Sequence, residues 1–235
     1  KQGWTQDLVA GYRMRCKADP SFPLKSTIEV VLAASTQLAA EVNNRGAANL
    51  LPQIDFVFPA ILTAVFGKYM SMWKTARTLS AEQTTETINE SQFLGLSVPT
   101  NAFQLTMADG LTRPTAKQRI GSLLAPAWPL FRAGCVASFL GYGFAALMIQ
   151  VRTVMLPSYV VATRSVNVVY ASVYTGAFMS VVSNLRYQLM QGLIEPAIDA
   201  EFKRVPAIRA FLILAIRIAN GFLGSTLAIL GMKYC

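Results

Sequence analysis

Histidine is absent from the 235 residues, and charge is scarce: 12 Asp plus Glu and 21 Lys plus Arg make up 14% of the chain, where a soluble domain carries roughly 25%. Without an imidazole, Ser-His-Asp and Cys-His nucleophile systems, His-ligated zinc or haem, and imidazole pH switches are excluded. The three cysteines, Cys16, Cys135 and Cys235, lie far apart and form no Cys-x-x-Cys pair. Neither a disulfide framework nor a metal site is expected from them, and no cofactor and no enzymatic site is expected from the rest. No Pro/Gly/Ser-rich linker separates two compositions, which points to one domain. The opening stretch begins at Lys1, holds Asp7 and has no apolar signal core, so any targeting peptide is expected to have been removed or left out.

What is abundant is apolar side chain, 53% of the residues, with a mean hydropathy of +0.40. A bilayer core about 30 Å thick is crossed by ~20 apolar residues in a helix. Two stretches meet this on charge spacing alone: Ala133 to Val151, 19 uncharged residues, and Ser165 to Leu185, 21 of them. A third, Phe211 to Leu230, carries Arg217, and two weaker ones are Leu24 to Val42, interrupted by Glu29 and Glu41, and Ile54 to Trp73, with Asp55 and Lys68. The fold expected is all-α, an integral membrane bundle of about five transmembrane helices. Residues 1–23 form a basic N-terminal segment, and 24–235 a single polytopic membrane domain with a polar loop at about 74–119. Within that loop, Ser80 to Gln92 reads as a solvated linker or short surface helix.

With five spans, fifteen Lys and Arg fall on the side of the N-terminal segment and four, Arg45, Arg152, Arg164 and Lys233, on the other, while Arg186 and Arg217 stay in the membrane. That asymmetry gives an orientation. The basic excess does not suit nucleic acid, because the seven basic residues between Asp109 and Glu195 are single charges along spans and loops rather than a stripe on one soluble face. Anionic lipid headgroups are the expected partners, with neighbouring membrane subunits as further ones. Lys117 to Arg132, basic at both ends and containing Trp128, suits the headgroup layer.

Small residues let membrane helices approach closely. Ala133, Ala137, Gly141 and Ala145 recur every four residues in the third span, Ser172, Gly176, Ser180 and Asn184 in the fourth, and Asn220, Gly224 and Ala228 in the fifth. A tight three-helix core is expected. Polar groups inside spans cost free energy, about 2.5 to 3.5 kcal/mol for a central charge, and are functional candidates by default. They are Glu29, Gln37, Glu41, Asn184, Arg186, Arg217 and Asn220, with Asp55 at the start of the second span. Glu29, Gln37 and Glu41 share an arc of roughly 120° on a helix. Together these residues outline either a substrate path or an intramembrane polar network.

Five short motifs run in order: Ala18-Asp19-Pro20-Ser21-Phe22, Ile54-Asp55-Phe56-Val57-Phe58, Asn101-Ala102-Phe103-Gln104, Ser183-Asn184-Leu185-Arg186-Tyr187-Gln188 and Phe222-Leu223-Gly224-Ser225. In that order and spacing the chain resembles the RETICULATA-related family of plants and algae. The resemblance implies a nuclear-encoded integral protein of the plastid, typically of the chloroplast inner envelope, with a link to amino-acid homeostasis and transport of basic amino acids. One position departs from the family pattern. Where relatives usually have an acid late in the second hydrophobic segment, followed by Leu-Pro-Ala-Pro, this chain has Lys68 and then Trp73-Lys74-Thr75-Ala76-Arg77. Beside a cationic solute Lys68 repels it, by about 4 kcal/mol at ~4 Å and an effective dielectric near 20. A non-catalytic accessory subunit of a plastid membrane complex is therefore the second functional reading.

Overall fold

A computed structural model describes residues 4–79, 91–156, 158, 160 and 167–233. The Ser80 to Gln92 linker lies outside them as far as residue 90, as do Lys1, Arg164 and Cys235. The chain is mostly helical. α1 (Trp4–Ala18) leads into α2 (Phe22–Arg45), whose start is fixed by Pro23 in its first turn and by the Asp19 carboxylate, which accepts from the Ser21 N–H at 2.9 Å. Gly46, at φ +80°, ends α2, and after a single 3-10 turn the chain returns as α3 (Ile54–Thr75). Pro59 lies inside α3, where it takes away the N–H that would bond the Asp55 carbonyl.

A small antiparallel hairpin follows, β1 (Ser91–Phe93) and β2 (Leu96–Val98), with Phe93 opposite Leu96. Its turn residues Leu94 and Gly95 have φ +50° and +77°, the primed geometry that matches strand twist. Residues 91–115 form a packed cap over one end of the helices, with Val98, Asn101, Gln104, Met107 and Ala108 buried. α4 (Ala116–Leu124) opens with a capping box between Thr115 and Gln118 and is tied to the cap by Ser122 Oγ, which donates to the Pro99 carbonyl at 2.6 Å. α5 (Ala127–Met155) then crosses the molecule.

The helix after Asn167 is continuous from Val168 to Glu201, 34 residues, though not regular. α6 (Val168–Phe178), α7 (Asn184–Leu189) and α8 (Glu195–Glu201) are joined by π-helical segments at Met179–Ser183 and Met190–Ile194. α9 (Pro206–Lys233) closes the chain. The span expected to end at Leu185 therefore runs more than ten residues further, and Arg186 lies in its interior rather than near its end. Arg186 and Glu195, which read as the charges that stop a span, find partners inside the protein: Arg186 donates to Asn220, and Glu195 pairs with Lys25 and Arg217.

Among the described residues four helices are long and apolar enough to cross a membrane: Ile54–Thr75, Ala116–Met155, Val168–Glu201 and Pro206–Ala228. This corrects the expected count of five. α2, at 24 residues and about 36 Å, is long enough but too polar, with Lys25, Glu29, Glu41 and Arg45 along it. α2 and α3 form an antiparallel pair, and so do α3 and α5. Along the second pair Asp55 meets Arg152 at one end, and Thr63 meets the Ala137 carbonyl at 3.3 Å in the middle. α5 and α6 touch through glycine, since a Cβ on Gly134 would fall 2.9 Å from the Gly176 Cα.

The core at the capped end joins Phe22, Met72, Ala76, Tyr187 and Met190, with Cys16, Tyr69 and Trp73 against it. The Arg15 guanidinium lies 3.8 Å over the Trp73 ring and donates to the Trp73 carbonyl at 2.7 and 3.0 Å. Burial pulls the pKa of Arg15, in α1, down to about 10, so it keeps its charge at neutral pH. Elsewhere the helices turn apolar side chains outward: Leu140, Val181, Phe211 and Phe222 are all more than 60% exposed.

Candidate functional site

Two residues four apart on α2, Lys25 and Glu29, share one face of that helix and point into the bundle. The Lys25 ammonium lies 2.7 Å from Asp19 Oδ2, 3.2 Å from Glu195 Oε2 and 3.2 Å from Asp199 Oδ2. The Arg217 guanidinium, from α9, lies 2.8 Å from Glu29 Oε2 and 2.7 Å from Glu195 Oε1. Glu195 thus bridges the two cations. The Tyr187 hydroxyl donates to Glu29 Oε1, and Arg209 reaches Asp199 at 3.9 Å. Four carboxylates, two fully buried cations and a phenol, drawn from the turn between α1 and α2 and from α2, α7, α8 and α9, make one network. The side chains of Lys25, Glu29, Glu195 and Arg217 are between 0 and 5% exposed, while Asp199, at 23%, is its edge. Charges this deeply buried persist only when paired.

The π segment at Met190–Ile194 is what brings Glu195 into the network. On a regular helix Tyr187 and Glu195, eight residues apart, point about 80° apart, and one extra residue in the turn rotates the next stretch of helix by about 100°, which leaves them about 20° apart. Both then face α2 and α9. The stretch between the π segments distributes its side chains in every direction. Asn184 Nδ2 donates to the Leu123 carbonyl at 2.8 Å, Gln188 to the Ser122 carbonyl at 3.0 Å, and Gln191 to the Met72 carbonyl at 3.1 Å and to Thr75 Oγ1 at 2.7 Å. In return the Ala102 N–H donates to Gln188 Oε1 at 2.8 Å and Asn101 Nδ2 to the Gln188 carbonyl at 3.1 Å. Two of the sequence motifs, residues 101–104 and 183–188, therefore dock onto each other.

The other candidates separate into distinct places. Arg186 donates to Asn220 through Nε at 3.1 Å and through Nη2, also reaching the Asn220 carbonyl. Gly224 leaves room for that guanidinium, which a Cβ there would strike. Glu41 pairs with Arg45 at 2.6 Å and accepts from Gln37 at 2.8 Å, and Asp55 pairs with Arg152 at 2.5 Å. These last two lie at the end of the bundle away from the cap. Glu29 with Arg217 and Arg186 with Asn220 are thus brought together, whereas Glu41, Asp55 and Asn184 belong to other contacts. Among the packing residues, Ala137 and Gly141 face Thr63 of α3, Gly176 takes Cys135 and Phe131 of α5, and Ser180, half-buried, falls in the first π segment. Among the described residues no group of acids and cysteines is arranged to hold a metal ion.

Sequence reasoning missed Lys25, Glu195, Asp19 and Asp199. Lys25 counted as a loop charge and Glu195 as the boundary of an acid-free stretch. The four-residue spacing of Lys25 and Glu29 was the available signal.

Comparison with known proteins gives relatives rather than a solved fold. Protein RETICULATA-RELATED 5, chloroplastic, from Arabidopsis thaliana is 31% identical over 224 residues, which is 92% of this chain and 30% of the relative. Protein RETICULATA-RELATED 4, chloroplastic, from the same plant is 30% identical over 220 residues, 92% of this chain and 56% of the relative. The chain therefore spans between just under a third and just over half of these relatives' lengths. No solved structure matches. The relatives are chloroplastic proteins, which supports a plastid location here. Residues 14–193 match the RETICULATA-like family, described as Protein RETICULATA-related, a stretch that takes in Lys25, Glu29, both docked motifs and most of the second π segment; the chain belongs to the RETICULATA-related family.

Proposed function

We propose that the protein lies in the plastid inner envelope membrane and moves a small cationic solute, of the basic amino-acid kind, across it. The observation that carries this reading is how the bundle holds its own cations: the Lys25 ammonium among three carboxylates and the Arg217 guanidinium between two. Those are the side-chain groups of lysine and arginine, and ionisable residues within a membrane bundle mark solute paths by default. α2 supplies the start of such a path: Lys25, Glu29 and Thr36 lie within about 40° of one another on one face of the helix, over about 17 Å. A solute ammonium entering at the Asp199 edge takes the place of the Lys25 ammonium, so that the carboxylates are never left unpaired.

The test is uptake of radiolabelled lysine, ornithine and arginine into liposomes holding the purified protein, beside empty vesicles. Saturable uptake, weakened severalfold by Asp199→Asn at the network's edge, is the expected result. Absence of uptake both in the wild type and in Lys68→Asp removes the carrier reading.

A second reading, a non-catalytic accessory subunit, is favoured by the closure of the same network and by Lys68, which turns to α2 and donates to Thr36 Oγ1 at 2.8 Å. On that reading the ion pairs hold helices together, and the protein migrates from mildly solubilised envelope membranes at a size well above its own with other proteins.

A further inference from the structure

The outer face of the α3 and α5 pair carries two stripes. On α3, Phe58, Leu62, Phe66, Met70 and Lys74 follow at four-residue spacing, and on α5, running the other way, Phe144, Leu140, Val136, Arg132 and Trp128 do the same. Their apolar members Phe58, Leu62, Phe66, Val136, Leu140 and Phe144 are 43 to 63% exposed. Between the stripes runs a groove of about 520 Å³ with Ala137 and Gly141 among its lining residues. It extends from Ala137 to Leu147, ten residues or about 15 Å, and its lining of Pro59, Leu62, Phe66, Leu140, Phe144 and Leu147 suits a hydrocarbon chain.

Each stripe ends in a cation at the same end of the pair. Lys74 lies within electrostatic range of Arg132 and Arg15, and among the described residues neither Lys74 nor Arg132 has a carboxylate partner. At the opposite end the matching charge, Arg152, is held by Asp55. From Asp55 to Lys74 the rise is about 29 Å, close to the hydrocarbon thickness of a bilayer. Trp128 marks the same level as Lys74: it is 62% exposed, stacked on Phe131, with the Arg132 guanidinium 5.7 Å from its ring, as aromatic side chains sit in the headgroup layer.

We infer that this face is a binding site for one anionic lipid, with Lys74 and Arg132 holding the acidic headgroup and an acyl chain lying in the groove towards Leu147. The inference rests on the membrane placement proposed above and not on solute transport. Two adjacent cations repel each other, and a headgroup anion between them removes that repulsion, which a zwitterionic lipid does far less well.

The experiment is lipid titration of the purified full chain in a neutral detergent, read by native mass spectrometry, with phosphatidylglycerol against phosphatidylcholine, and flotation of the protein with liposomes alongside. A preference of at least about tenfold for the anionic lipid is expected, from the surface attraction of two basic residues. The double variant Lys74→Ala, Arg132→Ala is expected to lose about thirtyfold in affinity, while Lys203→Ala, Arg204→Ala, which removes two exposed charges at the α8 to α9 turn, keeps it. Leu140→Ala with Phe66→Ala weakens binding as well, and glycerol phosphate alone does not compete. Equal binding of the two lipids, unchanged binding in the Lys74 and Arg132 variant, or full competition by glycerol phosphate overturns the lipid site. A protein that fails to float with liposomes overturns the membrane placement instead.

Discussion

Glu195 pairs with Lys25 through one oxygen and with Arg217 through the other, and Arg217 is also the ion-pair partner of the buried Glu29, so removing Arg217 strands the Glu29 carboxylate in the interior. Removing one partner of a buried pair costs about 3–5 kcal/mol. Arg217→Met is expected to destabilise the protein by that order, and Glu29→Gln with Arg217→Met by clearly less than the sum of the two single changes, because both act on one network. Thermal unfolding in detergent measures this, and strict additivity would speak against the network. A milder case lies in the cap, outside the helices. Asp109 Oδ1 accepts from the Leu111 and Thr112 N–H groups at 2.8 and 2.9 Å, and its pKa is lowered, first by the Thr112 hydroxyl and then by those amides. A carboxyl lowered in the folded state contributes stability above its usual range and loses it as pH falls through the lowered value. Hydrogen exchange of the 107–113 turn should quicken on acidification, and Asp109→Ala should remove most of that dependence. Glu29 and Arg217 were legible in the sequence because a charge in an apolar run is expensive wherever it sits. Glu195 was not, since a charge after an apolar run reads as the end of that run.

The two π segments decide which way the middle of the long helix faces, and glycine placement makes this testable. A Cβ on Gly192, inside the second segment, would strike the Asn101 side chain and lie 2.8 Å from Phe103 Cβ. Gly192→Ala should therefore push the cap away from the helix and cost about 1–3 kcal/mol. Gly221, within α9, has nothing within 4 Å of the same position, and Gly221→Ala should stabilise by about 0.5–1 kcal/mol. A denaturation series that ranks the two variants the other way would contradict the described packing. Helix lengths were partly readable from apolar runs, which placed α3 within two residues but began α5 six and α9 five residues late. The π segments were not, because an extra residue in a turn leaves no compositional trace. α2 was counted as a span on length, and of its polar residues, visible from the start, Lys25 and Glu29 are explained by Glu195 and Arg217, more than 160 residues further along the chain, while Glu41 pairs with Arg45 on α2 itself.

For the molecule as a whole, the cap, α1 and the Lys74 end lie together, and the Asp55, Arg152 and Arg45 end lies opposite, the grouping that basic-residue counting gave. In a chain with its cysteines replaced, single cysteines at Thr112 and at Thr153, both exposed, should be labelled by an impermeant reagent from opposite faces of a sealed vesicle; labelling from one face removes the spanning arrangement. The closed ion network also constrains how such a protein is made. α2 carries Glu29 near one end of the chain, and the guanidinium that neutralises it arrives only with α9, 188 residues later. In the membrane placement proposed above, α2 is a poor guest of lipid until α9 is beside it, so α2 waits at the aqueous boundary while the helices between them insert. The arrival of α9 is then a closing step, and a version cut before Arg217 is left with an open seam.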